Sequence, residues 1–348
     1  MTTGLSVRVL EEGSEPLWDD YVARNDAGSI YHLSAWRRLI ERLFRHESHY
    51  VYAIDEGGRV VGLLPLIRLR SLLFGDYLVS MPYFNYGGAI ADSPQIEQLL
   101  MERAARIAAE LGCSHIEFRD TVTRPDSWPV RSDKVGMDLI LPGNVDDLWS
   151  GLGTKMRTRI KRPQREAGVE VVRGGRELLG EFYQVFARNM RDLGTPVYPV
   201  AMFREILQMF PKAASIVVVR FNNRPAAAAF LIGHKDRLEI PWAASLRELN
   251  RFAFNMLLYW EVLKKAVEER YAIFDFGRAT RDGGTYEFKK HWGAQERPLY
   301  WHYWLAPGKS IPNLTPKNPK YQFAIGVWKK LPLFVANRLG PLLVVNLP

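Results

Sequence analysis

The chain has 348 residues and a net charge of +9, with 47% apolar, 24% charged and 12% aromatic residues. This is a globular composition that excludes extended disorder, a coiled coil or a fibrous repeat, and at roughly 150 residues per domain the length points to two domains. No run of about 18 uncharged apolar residues occurs and the first ten residues hold no hydrophobic signal core, so a cytoplasmic protein is expected, peripheral to the inner membrane at most.

Taken in chain order, Val51 to Ile54 and Val60 to Ile67 flank Glu56-Gly57-Gly58 and read as a hairpin. A short strand ending in Met81-Pro82-Tyr83 follows, then a helix from Gln95 to Leu111 and a strand from Ser114 to Arg119. The lone cysteine, Cys113, lies in an apolar stretch and reads as core. The histidines are scattered, so no metal site is expected.

Gly151 to Val169 separates this block from a second one built the same way. Ile216 to Phe221 and Ala226 to Ile232 flank Asn222-Asn223; a strand ending in Ile240-Pro241-Trp242, a helix from Asn255 to Arg270 and a strand from Ala272 to Phe276 complete it. Arg59 and Arg224, Pro82 and Pro241, and Ile116 and Phe274 are all about 160 residues apart, which reads as a tandem duplication. Each copy is a meander, a helix and a returning strand, so the expected class is α+β (α/β) with mixed central sheets flanked by helices. The expected domains are 1–150 and 151–309. Pro307 to Pro319, with prolines at 307, 312, 316 and 319, reads as a linker, and the apolar segment 310–348 is expected to pack back onto the first domain. The other reading of that tail is a surface membrane anchor, because Lys329, Lys330 and Arg338 stand among its apolar residues.

Three clusters could carry chemistry. Lys155, Arg157, Arg159, Lys161, Arg162 and Arg165 form a cationic run with no acid before Glu166, either a solvated helix face or a seat for an anionic partner. The segment from Phe274 to Gly293 is the second. Read in strand alternation, Phe274, Phe276, Phe288 and Trp292 are core candidates, while Asp275 and a lysine face elsewhere. Glycines 277, 283 and 284 permit close backbone approach, and Arg278 and Lys289 are suited to neutralise a phosphate or an oxyanion; the structural reading of the same residues is an Asp275–Lys289 ion pair holding two strands. The first copy has no Phe-Lys-Lys counterpart, which makes the second copy the working one. The third cluster runs from Trp242 through Asn255 to Tyr259, Trp260 and Glu261; Tyr259, Trp260 and Val262 are found more often in a core than on a ligand platform, Asn255 and Glu261 fall on different helix faces, and Glu261 is a weak candidate for a general base. Gly-x-Ser-x-Gly, P-loop and Gly-x-Gly-x-x-Gly motifs are absent, leaving serine hydrolase, NTPase and dinucleotide oxidoreductase without support.

Trp242-Ala243-Ala244-Ser245, Leu258-Tyr259-Trp260-Glu261, Phe274-Asp275-Phe276-Gly277-Arg278 and Gly284-Thr285-Tyr286-Glu287-Phe288-Lys289-Lys290-His291-Trp292-Gly293 resemble the FemAB-like group of the GNAT superfamily, in particular FemAB-related proteins of exosortase (PEP-CTERM) systems. The resemblance implies two tandem GNAT-like domains and acyl or aminoacyl transfer to an amine of a cell-envelope, peptidoglycan or exopolysaccharide precursor. It implies no tightly bound cofactor, with aminoacyl-tRNA or acyl-CoA as co-substrate, and it places Lys289 near the reacting carbonyl. Two family features are missing: the coiled-coil arm of bridge-forming members, and the glycine-rich pyrophosphate loop, replaced by Arg247 to Asn255. The expected catalytic residues are Lys289, Asp275 and Arg278; Tyr286, Trp242, Asn255, Lys155, Arg159 and Arg162 are expected to bind substrate. Besides an anionic acyl donor and the precursor, tRNA and the inner-membrane surface are candidate partners, and DNA is not. The rival reading is a non-catalytic module that binds a nucleic acid or membrane through 155–165.

Overall fold

The computed structural model describes residues 4–71, 74–124, 128–312 and 319–347. The chain divides into two compact units. The first comprises Met1–Lys134, Pro298–Asn313 and Val345–Pro348, and the second Val135–Arg297 and Leu314–Val344. The expected boundaries near 150 and 309 are therefore displaced. A strand at Lys134–Ile140 joins the second unit's sheet and one at Tyr300–Leu305 joins the first unit's, so strand pairing across long sequence separations sets the division.

In the first unit, strands Val51–Ile54 and Val60–Leu64 form the expected hairpin. Pro65, which has no N–H to give a ladder, ends the second strand, and Ile67–Ser71 continues into a separate six-stranded sheet beside Gly75–Val79. Helix Pro94–Glu110 starts on a Ser93 hydroxyl that accepts the Ile96 N–H, and it buries Ile96, Leu100, Met101, Ala104 and Ile107. It leads to His115–Asp120, parallel to Gly75–Val79 through Leu78↔Ile116 and Val79↔Glu117. Cys113 is buried, and burial pushes its thiol up to about 12, as a core residue requires.

The second unit repeats that order. Besides a short helix at Val145–Gly151, its elements are β1 (Lys134–Ile140), α1 (Thr154–Gln164), β2 (Val169–Gly174), α2 (Leu179–Leu193), α3 (Val200–Met209), β3 (Ala214–Phe221), β4 (Arg224–His234), β5 (Arg237–Ser245), α4 (Phe254–Glu268), β6 (Ile273–Thr280), α5 (Gly284–His291), β7 (Gln295–Pro298), α6 (Pro319–Trp328) and α7 (Leu333–Val344). The sheet order is β2-β3-β4-β5-β6-β1-β7. Asn222 and Asn223 both adopt positive φ, the conformation a two-residue hairpin turn needs between β3 and β4. The β4–β5 register shifts between Phe230 and Ile232, opposite Ile240–Pro241, because Pro241 cannot donate to the ladder. The shift brings Trp242 opposite Phe230 in a ring cluster with Phe203 of α3, while α4 packs its apolar residues with Leu238, Ile240, Phe274 and Phe276 in the other core cluster. The class is thus α+β, with mixed sheets flanked by helices.

Two expectations are corrected. Residues 284–291 are helical rather than a strand: Asp282 turns the chain at φ 61°, and Tyr286 and Lys289, one turn apart, face inward together. The tail packs on the second unit rather than the first, where Arg191 donates to the Leu331 carbonyl at 2.9 Å and Gly340 lies against Val197. Part of the expected proline-rich linker, residues 313–318, lies outside the described residues. Among the described residues no helix is long and apolar enough to cross a membrane.

Candidate active site

β5 and β6 run parallel and pair only at Arg237↔Ile273, Leu238↔Phe274 and Glu239↔Asp275. Beyond that point β5 continues to Ser245 and β6 to Thr280, so the sheet splits where the strand order changes, the usual place for a ligand in an α/β sheet. The first unit has the corresponding parting beyond Val79 and Glu117, but its own chain fills it. There the buried Arg119 donates to the carbonyls of Met81, at 3.0 Å, and Phe84, and its backbone N–H donates to the Ser80 hydroxyl at 2.8 Å.

Four neighbouring strands each place one charge beside the second unit's split: Arg237 on β5, Asp275 on β6, Asp138 on β1 and Arg297 on β7. Asp275 accepts from Arg297 at 2.9 Å and from Arg237 at 3.3 Å, and Asp138 accepts from Arg297 at 2.8 Å and pairs with Arg237 at 2.9 Å. Asp275 is fully buried; burial pushes its carboxyl up, and Arg297 is the strongest influence holding it down. Its Oδ1 accepts the Gly277 N–H at 2.7 Å, fixing a residue at φ 73° in the left-handed region. Only glycine takes that conformation without strain.

The Gly277 carbonyl then accepts from the Lys289 ammonium at 3.0 Å, and the Arg278 carbonyl accepts from it at 2.8 Å. Lys289 is 7% exposed, and burial lowers its pKa from 10.5 to about 8 against the opposing charges of Asp275 and Glu239. An ammonium has three N–H donors, so one remains for a further acceptor. Asp275 therefore meets Lys289 through Gly277, and the bonds given to each differ from the expected direct ion pair.

The other expected residues divide. The Arg278 side chain is exposed at the end of β6. Tyr286 is buried on α5, and its hydroxyl donates to the Glu296 carboxylate. Trp242 belongs to the ring cluster with Phe203 and Phe230, its ring 5.0 and 5.5 Å from theirs. Asn255 sits half-buried in the first turn of α4. Lys155, Arg159 and Arg162 lie on the exposed face of α1, whose opposite face buries Met156, Ile160 and Pro163. Glu261, a weak candidate base from sequence, pairs with Arg173 at 3.0 Å.

Sequence reasoning missed Glu239, Arg237, Asp138 and Arg297. Glu239 is 4% exposed and stands opposite Asp275 at the last paired position of the split. An acid inside the apolar run from Leu238 to Trp242 was the signal for it; the other three are recognisable only once the strand order is known. Among the described residues no group of three or more His, Cys, Asp or Glu is placed to hold a metal ion.

Residues 154–290 match the family model of the acetyltransferase (GNAT) domain. The fold is GNAT-like. The structure is similar to that of FemX, with a TM-score of 0.64 at 14% identity over 85% of this chain and 96% of that one. It is also similar to a tandem GNAT protein from the clavulanic acid biosynthesis pathway, at TM-score 0.55 and 13% identity over 88% and 100% of the two chains. A third likeness is to the C-terminal domain assigned to a lysylphosphatidylglycerol synthetase from Agrobacterium fabrum, at TM-score 0.57 and 14% identity over 83% and 91%. No curated protein matches the sequence. The matched domain is that of an acyl-group transferase, and it contains the split, Lys289 and Asp275.

Proposed function

We propose that the protein is an acyl or aminoacyl transferase that forms an amide on an amine of a cell-envelope, peptidoglycan or exopolysaccharide precursor. The observation that carries this reading is the buried Lys289 ammonium, held by two carbonyls of β6 just past the last position paired with β5. In amide formation the acceptor nitrogen attacks the donor carbonyl carbon, and the carbonyl oxygen becomes an anion. The remaining N–H of Lys289 serves that oxygen, and collapse of the intermediate expels the CoA thiol or the tRNA hydroxyl. Asp275 is a positioning residue that acts through Gly277. Glu239 is the carboxylate suited to take the proton the amine loses. Arg278, with Arg247 and Arg251 before the first turn of α4, supplies positive charge for an anionic donor.

The domain match supports acyl-CoA as donor, and the likenesses to FemX and to the lysylphosphatidylglycerol synthetase domain support an envelope acceptor. An exosortase-linked polysaccharide setting, a cytoplasmic location and aminoacyl-tRNA as donor belong to the same proposal. To test it, purified protein is offered radiolabelled acetyl-CoA or a mixture of aminoacyl-tRNAs with an envelope-precursor fraction as acceptor. Label should pass into an alkali-stable amide with one donor class; the absence of transfer from both refutes the reading. The rival reading, binding of an anionic polymer by the exposed cations of α1, predicts affinity that falls steeply with salt and is unaffected by Lys289→Met.

A further inference from the structure

The tail helices α6 and α7 present a surface that the transferase reading does not use. In α7 the residues Ala336, Gly340 and Val344, spaced one turn apart, are buried, and Trp328 is buried at the end of α6. The opposite faces are also apolar. Phe323 is 81% exposed, Phe334 76% and Leu342 67%, and Val327, Leu339 and Leu343 are exposed with them. Each helix is thus apolar on both sides, although only one side has a packing partner within the unit. An exposed apolar group of this size marks an interaction surface.

Its charge says what kind. Exposed Lys329, Lys330 and Arg338 lie at the helix connection and within α7, and no Asp or Glu occurs after Glu296 in the sequence. A second copy laid on the same face by a two-fold axis would set cation against cation. Apolar side chains standing out between cations, on a segment that carries no acid of its own, match the region where acyl chains meet anionic headgroups.

The geometry points to α6 and α7 as a monotopic docking plate for an anionic lipid bilayer, with Phe323, Phe334 and Leu342 entering the acyl boundary and Lys329, Lys330 and Arg338 held at the headgroups. The plate does not depend on the transferase reading, and it binds whether or not the chain transfers acyl groups.

The test is co-sedimentation of the full chain with vesicles of equal parts phosphatidylglycerol and phosphatidylcholine, and with phosphatidylcholine alone. The chain should partition onto the anionic vesicles and only weakly onto the neutral ones. A basic residue at an anionic surface is worth about fivefold in partition, so Lys329→Gln/Lys330→Gln/Arg338→Gln should lower binding about a hundredfold. Phe323→Ser/Phe334→Ser/Leu342→Ser should abolish the part of the binding that survives raised salt. Both sets alter exposed side chains, so the melting temperature should hold, and Lys289→Met should leave vesicle binding intact. The proposal is overturned if the wild-type chain stays in the supernatant, or if the serine variant binds as well as wild type, which would assign the binding to charge elsewhere such as α1. It is equally overturned if sedimentation velocity without vesicles shows a concentration-dependent dimer that the same serine substitutions dissolve.

Discussion

Lys289→Met separates a lysine that reacts with chemistry from one that only ties α5 to β6. Methionine keeps the unbranched apolar stem as far as Cε and removes the ammonium, with its charge and all its N–H donors. The folded pKa of about 8 against an ordinary 10.5 means that burying the ammonium costs about 3 kcal/mol at neutral pH, and the substitution removes that cost. Against it, the carbonyls of Gly277 and Arg278 lose a donor, each at about 1–3 kcal/mol. The two effects oppose each other, so urea unfolding at pH 7 should move by no more than about 3 kcal/mol in either direction. Activity has no such compensation, and loss of one oxyanion donor should lower kcat about 100- to 1,000-fold.

The pH dependence sharpens the test. Between the folded value near 8 and the unfolded 10.5, the unfolded chain binds more protons at this site than the folded chain does. The cost of the buried charge is therefore full below the folded value and disappears as pH rises through this window, so Lys289 makes stability rise with pH there. An ammonium needed for catalysis does the opposite, and kcat/KM, which reports the free enzyme, should fall with a midpoint near pH 8. Transfer from whichever of acetyl-CoA and aminoacyl-tRNA proves to be the donor to the envelope-precursor fraction, followed together with chemical unfolding from pH 7 to 10, should show both slopes in the wild type. The variant should lack both components. A Lys289→Met enzyme that keeps more than a tenth of wild-type kcat while folded would refute the oxyanion role, as would a wild-type kcat/KM flat through pH 8.

Three further outcomes follow from the network behind that lysine. Arg297→Met leaves Arg237 to serve both the fully buried Asp275 and Asp138 and should cost up to about 3–5 kcal/mol of stability in urea unfolding; the double variant with Asp275→Asn should recover part of it. Gly277→Ala forces a Cβ onto a residue at φ 73°, costing about 1–2 kcal/mol, and by moving the carbonyl that holds Lys289 it should lower kcat with little change in donor KM. Glu239→Gln keeps the shape of the buried side chain and should lower kcat about 100- to 10,000-fold if Glu239 takes the acceptor proton; a loss confined to stability, with kcat intact, would make it structural.

The repeat was legible because each copy punctuates its hairpin, helix and strand with the same kinds of residue. Asn222-Asn223 and Pro241 act within a few residues of themselves, so their turn and register shift follow from local rules. The segment 284–291 was misread for the opposite reason. Phe288 and Trp292 fit a strand's alternation as well as one helical turn, and the Asp282 turn decides between them.

Composition, periodicity and punctuation determined the α+β class, the duplicated hairpin–helix–strand order and the buried Cys113. Strand order and helix packing decided the rest. They put Arg237, Asp275, Asp138 and Arg297 on four adjacent strands, sent residues 300–305 back to the first unit, and laid the tail on the second. Local residue pattern sets which backbone shape each segment adopts, whereas the assignment of neighbours between segments more than a hundred residues apart depends on how whole faces pack. A buried charge, which is tolerated only where a distant partner meets it, is visible only after that packing is known.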